Sequence, residues 1–517
     1  MSRPALVAAT LGALVLAALA SAGCFSGDAA AGSGRSVAAL PRLHPAYAGA
    51  VIPPNIAPLD FHVDEPGAGC RVTVSGASGS PIRVSCDGGS VRIPVAPWRR
   101  LLQANVGGAV RIGVDVRAAD GTWTSFEPVV DTVAAEPVDR YLTYRLLRPL
   151  YSKYVSMGIY QRDLEGFHQA TVLDNRSVDG ACLNCHTFAG NRTRSMILHT
   201  RGPYGLTMLL HANGRTVSVR TQTRLNAAPA AYSSWHPSGE LVAFSANKIN
   251  MFYHSVGETR DVFDSASDVL VYDVGTNTVS TNPQLSRPDV LETWPCWSAN
   301  GRYLYFARAR QRPVEEFRQV RYDLARIAYD VPTRTWGTAE TVLSAEQVGG
   351  SISQPRVSPD GRFLAFSLAA YGNFPIYHPE SDVCMLDLGS GQWRRLSLNS
   401  DQADSWPSFS SNSRWLCFSS KRGNGLFARP HMSYVDEQGE VHAAFVLPQE
   451  DPLFYDSCLQ TFNRPELTVE PVEVSPRELA AALRDSTHVQ RAQADPSVSL
   501  EDLSAGAAEP YSAGARP

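Results

Sequence analysis

The pattern of apolar and polar positions repeats along the second half of the chain. Between residues 190 and 448, short apolar strands alternate with polar turns, and one unit of strand, tight turn and aromatic-rich strand occurs four times. The equivalent turn positions, spaced by 62, 60 and 52 residues, are Gly239, Gly301, Gly361 and Ser413. A unit recurring at about 40–60 residues is typical of a β-propeller blade, which buries its faces only against neighbouring blades. With a degenerate copy at 196–222, the pattern predicts five or six blades.

The first part of the chain has a different β pattern. Residues 50–135 alternate short β runs, one of them at 91–95, with turns such as Ala119-Asp120-Gly121, which predicts a small sandwich. The predicted fold class is therefore all-β, an N-terminal β-sandwich-like domain followed by a five- or six-bladed β-propeller. The predicted segments are a signal peptide (1–23), a flexible tether (24–49), the sandwich-like domain (50–135), a connector (136–192), the propeller (193–465) and a short helix with a disordered tail (466–517).

The start of that last helix has a specific signature. Ser475-Pro476-Arg477-Glu478 is a capping box with proline at the first helical position. We expect a helix from this point to about residue 492.

The N-terminus predicts export. Arg3 precedes an apolar run over 5–20, which is followed by Ser21-Ala22-Gly23-Cys24. This ending resembles a bacterial lipobox in which Cys24 becomes the lipidated first residue, although Ser21 stands where the motif prefers an aliphatic residue. Cleavage by ordinary signal peptidase remains the alternative, and a retained anchor is less favoured because the run is short for a membrane span. The sequence predicts a periplasmic protein, lipid-anchored to the outer membrane, whose membrane contact is through the lipid alone.

Composition removes several functional classes. The 517 residues are 44% hydrophobic and 19% charged, and 46 basic and 50 acidic residues give a formal net charge of −4. A nucleic-acid partner is not expected, because binding to a phosphate backbone requires a concentrated basic face. The chain contains no Gly-x-Ser-x-Gly elbow, no His-Glu-x-x-His and no phosphate loop. No hydrolase or transferase activity is therefore indicated.

The nine cysteines fall into different settings. An exported chain permits a disulfide between Cys70 and Cys86, and the sequence leaves this pairing open. Three more lie in apolar strand patterns, where a cysteine usually acts as a small buried hydrophobe; they are Cys296, Cys384 and Cys417. Cys458 has no predicted role.

Cys182-Leu183-Asn184-Cys185-His186 is the motif with the most specific chemistry. Two thiols at this spacing suit thioether bonds to haem, and His186 would then bind the iron. A zinc site would need a second Cys/His pair, and a thioredoxin-type motif would follow a strand in a βαβ unit. The sequence therefore predicts one covalent haem c held by Cys182, Cys185 and His186.

The distal haem ligand is less specified. Met196 is the first candidate and His199 the alternative, and an open sixth position is the third possibility. Met196 and His199 lie in a strand pattern that directs them to opposite faces, so both cannot bind the same iron.

Ser358-Pro359-Asp360-Gly361-Arg362 resembles the TolB-like, WD40-like (PD40) repeat. Together with the export signal and the CxxCH motif, it resembles a group of bacterial envelope proteins related to TolB-like propellers. The resemblance implies a propeller and a haem, and it implies no substrate.

Three functions follow from these expectations. The first is electron transfer or redox sensing with a redox partner. The second is a non-catalytic scaffold with structural haem that binds an envelope protein. The third is a haem enzyme with a second site in the propeller channel, for which the candidates by residue type are His236, His254, His378 and His431. The aspartates of the blades are expected at turns and strand ends; they are Asp268, Asp273, Asp382 and Asp387.

Overall fold

The computed structural model describes residues 34–148, 156–202, 204, 207–252 and 260–505. Strands make up 48% and helices 10% of the structure, which confirms the predicted all-β class. The predicted signal peptide and Cys24 lie outside the described residues. Within the described part, no helix is long and apolar enough to cross a membrane.

Ten strands and one helix form the N-terminal region. They are β1 (Gly34–Val37), β2 (Leu43–His44), β3 (Val51–Ile52), β4 (Phe61–Val63), β5 (Gly69–Gly76), β6 (Ile82–Cys86), β7 (Ser90–Val91), α1 (Val95–Ala104), β8 (Ala109–Arg117), β9 (Trp123–Phe126) and β10 (Val129–Val133). β8 pairs with β5, β9 and β10 in a seven-stranded sheet, and β2, β4 and β7 form a second sheet. Alternate residues of β5 and β8 are buried, so each strand presents one apolar face to the core.

The sequence pattern predicted a strand over 91–95, but the strand ends at Val91 and helix α1 begins at Val95. Pro94 has no backbone N–H for a strand ladder, and its φ of −60° suits the start of a helix. Trp98, Leu101 and Leu102 then lie on one face of the helix and are buried. The indole Nε1 of Trp98 donates to the carbonyl oxygen of Ile56 at 3.0 Å, which ties the helix to the sheet region.

Cys70 and Cys86 form the disulfide that the sequence left open. They occupy directly paired positions of β5 and β6, with their Cα atoms 5.1 Å apart. Their sequence separation of 16 residues sets the size of the closed loop.

Removal of this disulfide is expected to lower stability. Closing a loop of this length stabilises a fold by about 3 kcal/mol, mainly by restricting the unfolded chain. The double variant Cys70→Ala with Cys86→Ala should lose about this amount in urea unfolding, and reduction of the unmodified protein should have the same effect. An unchanged unfolding midpoint in both experiments would contradict the prediction.

Six further sheets follow along the chain. Their strands, with one short helix, are β11 (Tyr141–Leu147), β12 (Met157–Asp163), β13 (Gln169–Asp174), β14 (Cys182–Ala189), β15 (Arg192–Arg201), β16 (Thr207–Ala212), β17 (Arg215–Arg220), β18 (Ala230–Trp235), β19 (Leu241–Phe252), β20 (Asp261–Asp273), β21 (Thr278–Ser280), β22 (Val290–Trp297), β23 (Tyr303–Arg310), β24 (Asp323–Asp330), β25 (Thr335–Trp336), β26 (Glu340–Leu343), α2 (Ala345–Val348), β27 (Ser351–Val357), β28 (Phe363–Ala369), β29 (Asp382–Asp387), β30 (Trp393–Arg395), β31 (Asp404–Phe409), β32 (Trp415–Ser420), β33 (Arg429–Tyr434) and β34 (Phe445–Val446). Three 3₁₀ turns accompany them: Asn175–Val178, Val314–Gln319 and Pro375–Tyr377.

The four repeated turns predicted from the sequence join the first and second strands of four sheets. Gly239, Gly301, Gly361 and Ser413 have φ values of +74°, +71°, +73° and +61°. In each turn the backbone N–H of this residue donates to the carbonyl three residues earlier, at 2.8–3.0 Å. The left-handed backbone explains why three of the four positions are glycine.

The end of the chain returns to the sheets that precede it. Its elements are α3 (Phe454–Ser457), β35 (Thr461–Thr468), α4 (Pro476–Arg484), β36 (Gln490–Arg491), β37 (Gln493–Ala494) and α5 (Leu500–Ala505). β35 pairs with β11, β36 with β17 and β37 with β21. Ser475 Oγ accepts from the Glu478 N–H as the capping box predicts, but the helix ends at Arg484. β36 lies where the helix was expected to end, and β37 and α5 lie in the segment that the sequence pattern assigned to a disordered tail.

Six strands, here called the inner strands, bring the six sheets together. They are β14, β18, β22, β27, β31 and β35. Each contacts the next in this order, and β35 contacts β14. Most of their residues are buried. Within the described residues no single sheet closes on itself.

Candidate functional site

The CxxCH motif lies in β14, which is an inner strand surrounded by other strands. His186 is completely buried, and its ring centroid lies 6.0 Å from that of Phe188. Cys182 belongs to an apolar cluster that also contains Leu183 and Met196. The Cys182 Sγ accepts from the Asn184 side-chain amide at 2.9 Å. The side chain of Cys185 lies outside the described residues.

These residues do not fit a haem, and the prediction of a covalent haem c was wrong. Cys182 is buried in an apolar cluster and His186 is completely buried, where a macrocycle would need open space. Among the described residues, no group of three or more His, Cys, Asp or Glu side chains could hold a metal ion. The cytochrome, electron-transfer and structural-haem interpretations are therefore withdrawn.

The two residues proposed as distal ligands serve the packing of β15. Met196 is completely buried in the cluster around Cys182. His199 is also buried, and its Nε2 lies 3.4 Å from Ser233 Oγ on the neighbouring sheet. The two side chains therefore point to opposite faces of the strand.

The other histidine candidates do not form a second centre. His236 interacts with Ser238 Oγ at 2.8 Å and with the Gly301 carbonyl at 3.2 Å, so it holds a turn against the next sheet. His431 is buried, with Nδ1 3.2 Å from the Arg429 carbonyl. His378 is buried between two carboxylates, those of Asp261 and Glu380, each at 3.4 Å. His254 lies outside the described residues.

Three of the four aspartates expected at turns and strand ends lie at strand ends, whereas Asp268 lies inside β20. Asp273 accepts from the Thr276 N–H, and Asp387 accepts from the Gly389 and Ser390 N–H groups. Asp268 accepts from Ser286 Oγ, and Asp382 pairs with Arg395.

The inner strands share an irregularity that the sequence analysis missed. Each has a bulge at the same position, where its register against the neighbouring strand shifts. In five of the strands the bulged residue has a φ between +48° and +58°. We call these five residues the bulge ring; they are Tyr232, Trp294, Gln354, Trp406 and Arg464. In β14 the shift lies between Asn184 and Thr187, which gives Cys185 the equivalent register position.

A left-handed backbone is unfavourable for these side chains. It costs on the order of 1–3 kcal/mol per residue and is concentrated at functional sites. Proline follows the bulged residue in four of the strands and removes the N–H that would otherwise continue the ladder; these prolines are Pro295, Pro355, Pro407 and Pro465. Their spacings of 60, 52 and 58 residues match the blade repeat, so this repeated X-Pro step is the sequence signal that could have located the site.

The bulge ring lines a small cavity between the inner strands. The cavity has a volume of about 20 Å³. Tyr232 and Trp294 stack with centroids 3.7 Å apart, and Trp406 meets Trp294 edge-on at 5.1 Å. Phe374 lies 5.9 Å from Tyr232 and 6.0 Å from Trp294. Aromatic rings therefore make up much of the wall.

The wall also carries N–H groups that no described residue accepts. The Gln354 Oε1 accepts from Ser367 Oγ and from the Trp406 backbone N–H, each at 2.9 Å. These two bonds fix the amide orientation and leave the Gln354 Nε2 without a partner. The indole Nε1 atoms of Trp294 and Trp406 also have none. A buried N–H without an acceptor costs about 1–3 kcal/mol, so the wall is suited to a group that accepts hydrogen bonds.

Positive charge surrounds the neighbouring His186. Burial, followed by the charges of Arg464, Arg145 and Arg356, holds the pKa of this imidazole well below its usual range. The ring is therefore neutral, and the backbone of Thr143 interacts with it.

One carboxylate, that of Glu466, faces these guanidinium groups. Its Oε2 lies 3.9 Å from an Arg356 nitrogen, while its Oε1 accepts from Thr187 Oγ1 and from the Phe188 N–H. Of the three arginines, Arg356 is the one placed at ion-pair distance from Glu466. The Arg356 side chain is 25% exposed, so this positive region reaches solvent.

A buried acid lies beside the aromatic wall. The Asp264 Oδ2 accepts from the side-chain amides of Asn373 at 2.6 Å and Asn247 at 2.8 Å. Burial raises the pKa of Asp264 to about 7. Asn373 directly precedes Phe374, which connects this acid to the bulge ring.

Comparisons with known proteins give no family for the chain. No family model matches it. No curated protein matches it either. One solved structure that matches is a 6-phosphogluconolactonase-like protein of Bacteroides uniformis, with 11% identity over 77% of this chain and 100% of that chain and a TM-score of 0.34. Another is cobalt-substituted apocarotenoid oxygenase of Synechocystis, with 12% identity over 80% of this chain and 95% of that chain and a TM-score of 0.38. A puromycin-hydrolysing peptidase of Mycobacterium tuberculosis also matches, with 13% identity over 52% of this chain and 39% of that chain and a TM-score of 0.31.

These similarities are too low to assign an activity to this chain. The assignment to a haem-bearing, TolB-like envelope group was wrong. It is overturned by the complete burial of His186 and by the absence, among the described residues, of a side-chain group that could hold a metal ion.

Proposed function

We propose that the chain is a binding protein of the cell envelope, built as a six-bladed propeller beside a β-sandwich, whose bulge ring receives a carboxylate of a partner protein. The observation that carries this proposal is the set of unpartnered N–H groups on Trp294, Gln354 and Trp406, which line a cavity together with Arg356 and Arg464.

The cyclic order of contacts among the inner strands supports the propeller. In a propeller each blade contributes its innermost strand to the centre and packs against two neighbours. β35 comes from the end of the chain and supplies the innermost strand of the sheet that also contains β11 to β13. A strand from the end of the chain thus completes the first blade and joins it to the last one.

The chemistry of the cavity supports an anionic group. Trp294, Trp406 and Gln354 offer N–H donors, and a cation would be repelled by the guanidinium groups of Arg145, Arg356 and Arg464. A volume of about 20 Å³ has room for one or two oxygen atoms and not for a whole metabolite. The ligand therefore inserts one group while the rest of it lies outside, which favours an acidic side chain or C-terminus of a protein.

Export and lipid anchoring at Cys24 belong to the same proposal. The Cys70–Cys86 disulfide supports an oxidising compartment such as the periplasm. The partner is then an envelope protein, as the sequence analysis expected.

Binding is tested with a glutamate-containing peptide and the same peptide with glutamine in its place. Trp294 and Trp406 line the cavity, so their fluorescence should change on binding of the glutamate peptide alone. Arg356→Gln should weaken binding about tenfold, since hydrogen bonds to charged groups contribute about 1.5–3 kcal/mol. Affinity should also fall as salt is added, because Arg356 reaches solvent.

Arg394→Gln is the matched control. Arg394 is a half-exposed arginine that lies near Glu440, and its loss should leave binding unchanged. Equal affinity for the two peptides, or equal effects of the two arginine variants, would rule out the carboxylate site. Thermal unfolding of each variant shows whether a loss of binding reflects a loss of fold.

A further inference from the structure

Lys421 is a buried amine at the end of β32. The residue is only 7% exposed, and its Nζ lies 5.5 Å from the centre of the Tyr377 ring. The guanidinium of Arg260 lies 5.9 Å from the centre of the same ring. Tyr377 ends the 3₁₀ turn that follows Phe374, so this amine lies near the aromatic wall of the bulge ring.

The use of lysine here is unusual for this chain. The sequence contains three lysines, which are Lys153, Lys248 and Lys421, and almost all of its 46 basic residues are arginines. Lys248 is exposed. Arginine keeps its charge when buried, whereas lysine readily gives up its proton, so the difference between the two matters at a buried position.

The surroundings of Lys421 favour the neutral amine. Burial, followed by the positive charge of Arg260, lowers the pKa of Lys421 to about 8. Among the described residues no carboxylate lies within ion-pair distance of its Nζ to restore the charge. An amine that is desolvated and subject to the positive charge of a second cation is the arrangement that makes a lysine nucleophilic.

We propose that Lys421 is a nucleophilic amine that forms an imine with the aldehyde or ketone group of a small ligand, preferentially one that also carries a carboxylate. The amine nitrogen attacks the carbonyl carbon, and the C–N bond forms while the carbonyl oxygen takes up a proton. The nitrogen loses its protons, water leaves with the former carbonyl oxygen, and the C=N bond results. No oxidant or reductant takes part. The positive charge of Arg260 favours the carboxylate of the ligand, and the proposal does not rest on the function proposed for the bulge ring.

The test is imine trapping on the full chain. The protein is incubated with glyoxylate and cyanoborohydride at near-neutral pH, and the labelled lysines are identified by peptide mass spectrometry. Lys421 should be labelled about tenfold faster than Lys248, because more of it is unprotonated at this pH. Propanal, which has no carboxylate, should label Lys421 more slowly than glyoxylate does.

Two variants test whether the charge of Arg260 controls the reactivity of Lys421 or whether the amine is labelled only because it is accessible. Arg260→Gln removes the neighbouring positive charge and should move the pH midpoint of Lys421 labelling upward. Arg215→Gln, at an exposed arginine elsewhere, should leave that midpoint unchanged. Lys421 labelling only after denaturation, or a midpoint equal to that of Lys248, would overturn the proposal. Thermal unfolding confirms that each variant is folded.

Discussion

A chain that ends at Gln460 is expected to lose cooperative unfolding, because it lacks β35. All eight residues of this strand, Thr461–Thr468, are buried. The strand pairs with β11 along its length and contacts β14 and β31 on its two sides. Its loss leaves the backbone groups of β11 unpaired in the interior and separates the first of the six sheets from the last.

The energetic effect exceeds the stability of an ordinary fold. Phe462 and Leu467 are almost completely buried, and removal of each large apolar side chain costs about 2–5 kcal/mol. Glu466 accepts two hydrogen bonds from β14, and Arg464 donates to the Ser233 carbonyl at 3.0 Å. Because net stabilities are about 5–15 kcal/mol, the sum of these losses should leave no folded state.

The control is a chain that ends at Glu473. This chain keeps β35 and loses α4, β36 and β37, so it should still unfold cooperatively, at a lower temperature than the full chain. A peptide covering 459–470, added to the shorter chain, should restore circular dichroism typical of β-structure. A chain ending at Gln460 that melts at the temperature of the full chain would refute the closing role of β35.

The parts of the fold that the sequence predicts are those determined locally. Gly239, Gly301 and Gly361 were found because a left-handed turn favours glycine whatever lies around it. The cap at Ser475 was found because its hydrogen bond is made within one helical turn. The start of α1 was missed because 91–95 alternates like a strand, and only Pro94 shows that pairing stops there.

The candidate site was missed because its features are set by residues distant in sequence. The repeated X-Pro step marks Trp294 and Gln354, but it does not specify a left-handed backbone, since the bulge depends on the neighbouring sheet. β35 contains Arg464 and Glu466, which are of residue types that are usually exposed but are buried here. Glu466 is buried because Thr187 and Phe188, about 280 residues earlier in the chain, donate to it.

The CxxCH motif was misinterpreted for a related reason. The spacing of Cys182, Cys185 and His186 specifies the order of side chains and not the conformation of the backbone. The segment that follows, with Met196 at its centre, already had strand character. The inner strand β14 pairs with this segment, so the CxxCH spacing and the strand pattern are both explained without a cofactor.

Asp264→Asn is expected to make the protein more stable at neutral pH. Burial raises the pKa of Asp264 from 3.8 to about 7, so the folded protein keeps a proton that the unfolded chain releases. Stability from this group is complete below the unfolded pKa and is lost as the pH rises toward the folded pKa, between about pH 4 and pH 7. A shift of about three pKa units corresponds to a loss of up to about 4 kcal/mol.

The amide introduced by Asp264→Asn never ionises, and its oxygen accepts from Asn373 and Asn247 as the carboxyl oxygen does. The free energy of unfolding of the variant should therefore equal that of the unmodified protein near pH 4 and exceed it above pH 7. Asp60 and Asp131 have pKa values raised to about 7 by burial as well, so the difference between the two proteins is the quantity to measure.

Asp120→Asn is the control for this measurement. Asp120 is an exposed turn residue whose pKa is lowered by hydrogen bonds from Thr122, so its replacement should bring no gain at neutral pH. A difference between Asp264→Asn and the unmodified protein that stays constant from pH 4 to pH 8 would show that Asp264 is not protonated in the fold. A gain confined to higher pH would mean that the chain retains a destabilising acid beside Phe374 and the bulge ring. A buried acid that destabilises the fold is expected at a functional site, because packing alone gives no reason to keep it.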